Sequence, residues 1–277
     1  MIRRDAGAHF LLVTQHDHAL AAGRLARALG RPPFTPPSPF DTVVDGIAQH
    51  DCGWPLHDDQ PTLNRDGLPL HVFEAPIPLA VRVWSASVEG AMAHGDYQGL
   101  LVSLHVMGLS AMFLSHASNP SRPDVFEVNK FQHRQSEIQD ALRKRLGLRS
   151  DVPLRLGLAQ RGASPEDDAL LFNFRLLTAM DRLSLALCCG KHLFPSLDDV
   201  HPAPGVAPAP IRATMPQPDT LELAPWPFDE PQIALEVPAR RVSKTPFPDV
   251  EAFREAYYQA PPEPLNLYIK PNASSGS

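Results

Sequence analysis

The 277-residue chain sets 25 Lys and Arg against 31 Asp and Glu, a net charge of −6. That balance argues against a protein that coats nucleic acid or an anionic membrane, and no apolar run approaches the ~18–20 residues of a membrane span. The run at 10–13 is too short for a signal-peptide core, and the three cysteines (Cys52, Cys188, Cys189) lack disulfide-framework spacing, so a soluble cytoplasmic protein is expected.

Proline is costly inside helices, so the 31 prolines mark where helices can run. Windows 1–31, 79–119, 124–152 and 166–194 contain none. In the first, Asp17 is read as the cap of a helix whose apolar positions are Leu20, Ala21, Leu25, Ala28 and Leu29. Pro32, Pro33, Pro36, Pro37 and Pro39 mark an extended connector, and a second helix is predicted over 42–51. Further helices follow over 79–94, 97–116 and 126–146. Ser164-Pro165-Glu166-Asp167 starts a largely buried helix that runs through Leu187.

Over half of the prolines fall in 195–271, which places a boundary near Pro195. Residues 201–218 read as a Pro/Ala linker and 272–277 as a frayed end. Short strands are predicted over 220–224, 232–237 and 265–270, with a helix over 250–258. The expected fold is mainly α: a helical bundle over 1–200 with a small β-containing appendage at 219–271.

Four positions suggest chemistry: His18, the His50-Asp51 doublet and Asp181. A divalent cation needs imidazole nitrogens and carboxylate oxygens converging from several elements. Alone, His18 reads as a cap or surface residue, and His50 as a helix C-terminal histidine. Asp51 fits that position poorly, because the helix dipole disfavours a carboxylate there. Asp181 lies between Leu176-Leu177-Thr178-Ala179-Met180 and Leu183-Ser184-Leu185-Ala186-Leu187, and a carboxylate there needs a cation or a hydrogen-bonding partner.

His18, His50-Asp51 and Asp181 in Ala-Met-Asp-Arg-Leu-Ser resemble, in this order, the H…HD…D signature of the HD-domain superfamily of metal-dependent phosphohydrolases. Thr14-Gln15-His16-Asp17-His18 with Ala22-Gly23, and His50-Asp51-Cys52-Gly53-Trp54, are similar to an uncharacterised bacterial family known only as a domain of unknown function. The resemblance covers about residues 9–195 and implies an all-helical fold in which His18, His50, Asp51 and Asp181 bind a divalent ion (Mn, Fe, Ni, Zn or Mg). It implies hydrolysis of a small phosphoester, with Asp51 orienting a water or bridging a second ion. Two-metal members add histidines between the doublet and the last aspartate. His105, in an apolar helix, is the best candidate, whereas His116 lies ~16 Å further along that helix, too far to share one cluster. His94 and His133 sit among polar residues and read as surface, while His57 and His71 can face the pocket.

The loop over 53–73 leaves directly from the doublet, so Trp54, Asp58 and Arg65 are substrate candidates, with Arg65 a clamp for phosphate or carboxylate. Gln15 and His16 are candidates beside His18. Two rival readings stand: an HD-type di-iron oxygenase, and a non-catalytic metal- or ligand-binding protein.

Overall fold

The computed structural model describes residues 1–116, 121–148 and 164–272, with the backbone alone at 115 and 116. A hairpin of β1 (Ile2–Ala6) and β2 (His9–Val13) opens the chain. Helices α1 (Gln15–Arg27), α2 (Phe40–Ala48) and the single turn α3 (Pro55–Asp58) follow. Next come α4 (Ile77–His94), α5 (Asp96–His116), α6 (Arg122–Arg145) and α7 (Pro165–Cys189). The remainder is β3 (Ser196–Leu197), β4 (Ile211–Gln217), β5 (Thr220–Ala224), β6 (Ile233–Ser243), α8 (Val250–Gln259) and β7 (Pro262–Pro271).

The strands form one mixed seven-stranded sheet in the order β1-β2-β6-β7-β5-β4-β3, parallel only between β5 and β7. The fold is therefore α/β, which overturns the expectation of a mainly α bundle with a small appendage. The N-terminal hairpin joins the C-terminal strands directly, with His9 to Leu12 of β2 opposite Ser243 to Arg240 of β6.

Two physical features hid this sheet in the sequence. In β2, Leu11 and Val13 pack toward the helices while Phe10 and Leu12 pack toward α8, so both faces are buried and no apolar–polar alternation is left. In the tail, proline is placed where it costs least. Pro238 of β6 sits opposite Pro264 of β7, and at those positions neither strand is paired on its other side. A missing N–H breaks no ladder bond there. Strand β4 lies inside the stretch read as a linker, flanked by Pro210 and interrupted by Pro216.

The main core joins one sheet face (Ile2, Leu11, Val13, Leu235, Ile269) to α1, α2, α5 and α7. On the opposite face, Phe253 and Tyr257 of α8 cover Met1, Phe10, Leu12 and Val242. A third cluster gathers Trp54 with Val83, Trp84 and Val88 of α4, Val102 and Val106 of α5 and Phe131 of α6. Helix α5 is long and apolar enough, by length and composition, to cross a membrane, but half of that window is buried and it packs on α2, α4, α6 and α7.

Helix α7 is held at both ends. The Ser164 hydroxyl accepts from the Asp167 N–H at 3.2 Å, and Gly190 ends the helix at φ 62°. Buried Arg4 of β1 donates to the Leu187 carbonyl at 2.5 Å, placing a cation at the negative end of the helix. At α1 the cap is Thr14, whose hydroxyl accepts from the Asp17 N–H at 3.0 Å; Asp17 lies in the first turn and is not the cap.

Two glycines set helix spacing. A Cβ on Gly23 would lie 2.7 Å from the Ala48 Cβ, so α1 and α2 approach closely only because it is absent. A Cβ on Gly53 would fall 2.2 Å from the Val83 carbonyl oxygen and 2.4 Å from the Ser87 nitrogen, both backbone atoms of α4 that cannot rotate away. Gly53→Ala is therefore expected to cost ~1–3 kcal/mol or more, read as a lower thermal unfolding midpoint. An unchanged midpoint would show that α4 can shift freely.

Candidate metal centre

The packing of α1, α2, α5 and α7 brings five side chains together. His18 lies in the second turn of α1 on its buried side, and the end of α2 delivers His50 and Asp51. His105 projects from α5 and Asp181 from α7, and all five are buried. Among the described residues, two sets of donors come within 4.8 Å of one another: His18, His50 and Asp51, and His50, His105 and Asp181.

Each of two imidazoles is anchored through Nδ1. His50 Nδ1 lies 2.7 Å from the Ile47 carbonyl, which can only accept, so Nδ1 carries a proton and Nε2 is the nitrogen that bears the lone pair once the ring is neutral. The Ser184 hydroxyl donates to the Asp181 carbonyl at 3.0 Å and so accepts from His18 Nδ1 at 2.8 Å, which makes Nε2 the nitrogen that can ligate in the neutral His18 ring as well. Such anchoring of the far nitrogen is how proteins orient metal-binding histidines.

The Nε2 atoms face the carboxylates at distances long for hydrogen bonds. His18 Nε2 lies 3.3 Å from Asp181 Oδ1 and 3.5 Å from Asp51 Oδ2. His50 Nε2 lies 3.4 Å and 3.7 Å from the same two atoms and has no hydrogen-bond partner. Bonds of ~2.1 Å around a tetrahedral ion separate neighbouring ligand atoms by ~3.4 Å. The donor set thus fits one cation better than a hydrogen-bonded cluster. His105 Nε2 stands further back, 4.0 Å from Asp181 Oδ2. His50 belongs to both donor sets, so the two sets are not independent of one another.

Charge is distributed unevenly over the histidines. Burial pushes His105 down to about 4, so it stays neutral. Burial acts the same way on His50, but the Asp51 charge and the Asp181 carboxylate outweigh it and carry His50 up to about 9. His18 is burdened by the same burial and is nonetheless raised by the same two carboxylates. Against the burial that opposes ionisation, His18 and His50 hold Asp181 well below the usual carboxylate range.

Three of the five, Asp51, His105 and Asp181, line a cavity of about 530 Å³, which His18 and His50 do not reach. Gln15 lines it too, as do Trp54, Phe73, Trp84 and Leu109. The Gln15 side chain donates to Asp51 Oδ2 at 3.0 Å, while its Oε1 is buried without a partner. Of the substrate candidates, Gln15 and Trp54 lie on this cavity.

The others lie elsewhere. Arg65 lines a separate cavity of about 680 Å³ together with His57 and Arg82, which removes it as a clamp at this centre. Asp58 is paired with the Met1 ammonium at 2.9 Å and accepts the Gln15 backbone N–H at 2.8 Å, so it fixes the start of α1. His16 is half-buried with an unpartnered Nδ1 and does not line the cavity. His71 accepts the Phe73 N–H through Nδ1 at 3.2 Å, its Nε2 directed at Cys189, while His94 and His133 are exposed. The His116 side chain lies outside the described residues.

Sequence reasoning missed Ser184 and the apolar wall. The wall had a signal: His105, Leu109 and Met112 recur at helical spacing, on the face of α5 that meets the cavity. In metal-free protein, Asp181→Asn is expected to lower the His50 pKa from about 9 toward the ordinary imidazole value of ~6.5. NMR titration of the ring protons measures it, and an unmoved His50 would refute the coupling.

A search of curated proteins gave no match, and neither did a search of solved structures. A family profile matches residues 1–244, so the chain belongs to the family described as protein of unknown function, DUF3891.

Proposed function

We propose that the protein is a metal-dependent hydrolase of a small-molecule substrate, with one divalent cation held by His18, His50, Asp51 and Asp181 and approached by His105. The observation that carries this reading is a buried His50 Nε2 without a hydrogen-bond partner, set among two carboxylates and two further imidazoles, of which Asp51, His105 and Asp181 open onto a cavity. A cation bound there would lower the pKa of a water and polarise a substrate oxygen. Asp51, which lines the cavity and is held by Gln15, orients the water and takes its proton. Ser184 and the Ile47 carbonyl keep the two anchored imidazoles in their ligating tautomer. Phosphoester as the substrate, and the HD superfamily as the wider kinship, come from the resemblance in residue order; the cluster itself supports hydrolysis.

A second reading is favoured by His105. Two histidines and a carboxylate with an open side also suit a non-haem iron centre for oxygen chemistry. The two donor sets share His50 and so do not by themselves make a two-iron centre. A closed structural site is disfavoured by the cavity, because structural sites leave no open position.

Metal analysis of protein purified without chelator tests the reading. About one equivalent of Mn, Fe, Ni, Zn or Mg is expected, lost in Asp51→Ala, Asp181→Ala. Iron would move the second reading ahead. No metal, and none regained on adding divalent ions, would leave the cluster a buried polar network. Ser184→Ala is expected to weaken metal affinity ~10–100-fold, since it frees the His18 ring.

The affinity also has a predictable pH dependence. A cation must displace the His50 proton, which is retained up to about 9. Affinity should therefore rise at least ~10-fold per pH unit from pH 7 toward that value, one proton being released per ion. Competition with a chelator at stepped pH measures it, and a flat profile would contradict the assigned protonation.

A further inference from the structure

The cavity above the centre has a chemical character of its own. Its polar lining side chains are Gln15, Asp51, His105 and Asp181. The rest of the lining is apolar, with Trp54, Phe73, Ile77, Trp84, Leu109 and Met112 as its main surfaces. Among the described residues, no Lys or Arg lines it. Arg65 and Arg82 line the separate cavity, and Arg182 lies over the Phe194 ring at 5.6 Å. At the rim, Phe73 is 62% exposed and Met112 43%, so the apolar surface continues outward.

Charge counting gives the consequence. Asp51 and Asp181 together balance a divalent cation, so the loaded centre is neutral overall. A phosphomonoester would bring roughly −1.5 to −2 charges at pH 7. With no cationic side chain among the described lining residues, that charge would be buried against indole and aliphatic walls without a side-chain counter-charge from them. An uncharged molecule meets no such penalty, and its apolar part gains by leaving water. Pockets of this size and lining, apolar with a few convergent polar groups, suit small organic ligands. The buried Gln15 Oε1, which has no partner, also offers an acceptor for an amide N–H.

From this we propose that the centre acts on an uncharged carboxylic ester or amide with an apolar body, and not on a phosphoester. The proposal rests on the metal reading above and assigns its substrate class. In the reaction, the oxygen of water bonds to the acyl carbon, and the bond from that carbon to the ester oxygen or amide nitrogen breaks. One water proton ends on the departing alcohol or amine, passed through Asp51, and the other stays with the acid. Trp54, Trp84 and Leu109 hold the apolar body.

The test compares two probes with the same aromatic body on the metal-loaded full chain: acetanilide, which is neutral, and phenyl phosphate. Binding is followed by titration calorimetry, and the fluorescence of Trp54 and Trp84 reports entry into the cavity. Acetanilide is expected to bind at least tenfold more tightly than phenyl phosphate. Phe73→Lys places a cation at the exposed rim, where folding is not at stake. It is expected to narrow that ratio at least threefold with the metal content unchanged. Metal content is measured on the same samples, which separates the two possible failures. If the chain neither retains nor takes up a cation, the hydrolase reading and this inference fall together. If it holds the cation and phenyl phosphate binds as tightly or more tightly, or neither probe binds, this inference alone is overturned.

Discussion

Two carboxylates inside an apolar core are the constraint on which this structure turns. An ionised side chain away from water is costly unless charge or hydrogen bonds compensate it. Asp181 is enclosed by the apolar residues of α7, and Asp51 follows the end of α2, which packs on α1 and α5. The compensation comes from two imidazoles, His18 and His50, and the Gln15 amide. Each anchored imidazole is held by an otherwise ordinary feature: a helix carbonyl for His50, a hydroxyl that already serves α7 for His18. Gly23 and Gly53 let the helices come close enough for these groups to meet.

Helix α5 serves two environments at once. One side packs on neighbouring helices; the side carrying His105, Leu109 and Met112 forms cavity wall. Both surroundings favour apolar residues, which is why its composition passes for that of a membrane segment. The same helix supplies the donor that stands furthest from the others, at 4.0 Å.

The helices were legible because proline excludes them elsewhere and their apolar periodicity is regular. The donor residues were legible because Asp181 has no reason to lie among leucines unless it is used, and because Asp51 is misplaced for a plain helix end. The sheet was not legible, for reasons that lie in its packing. Strand β2 is buried on both faces and shows no alternation, and the prolines of β6 and β7 sit at positions where no ladder bond is lost. Arg65 illustrates a different limit: sequence adjacency to the doublet carried it toward the site, but the loop folds back over another cavity. The apolar lining was written in the i, i+4, i+7 spacing after His105, which core packing would equally produce.

The pairing of β2 with β6 has a kinetic consequence. Residues 9–12 must find residues 240–243 across nearly the whole chain, and such non-local closure is slow because its entropy is lost before contacts repay it. The donors from His18 to Asp181 are all synthesised well before β6 and β7, yet the sheet face that buries α1 and α7 is complete only with those strands. During synthesis the ligands therefore exist as an exposed, unorganised set of histidines and aspartates. The ordered cluster is thus among the last features to form, in step with the closure of the sheet.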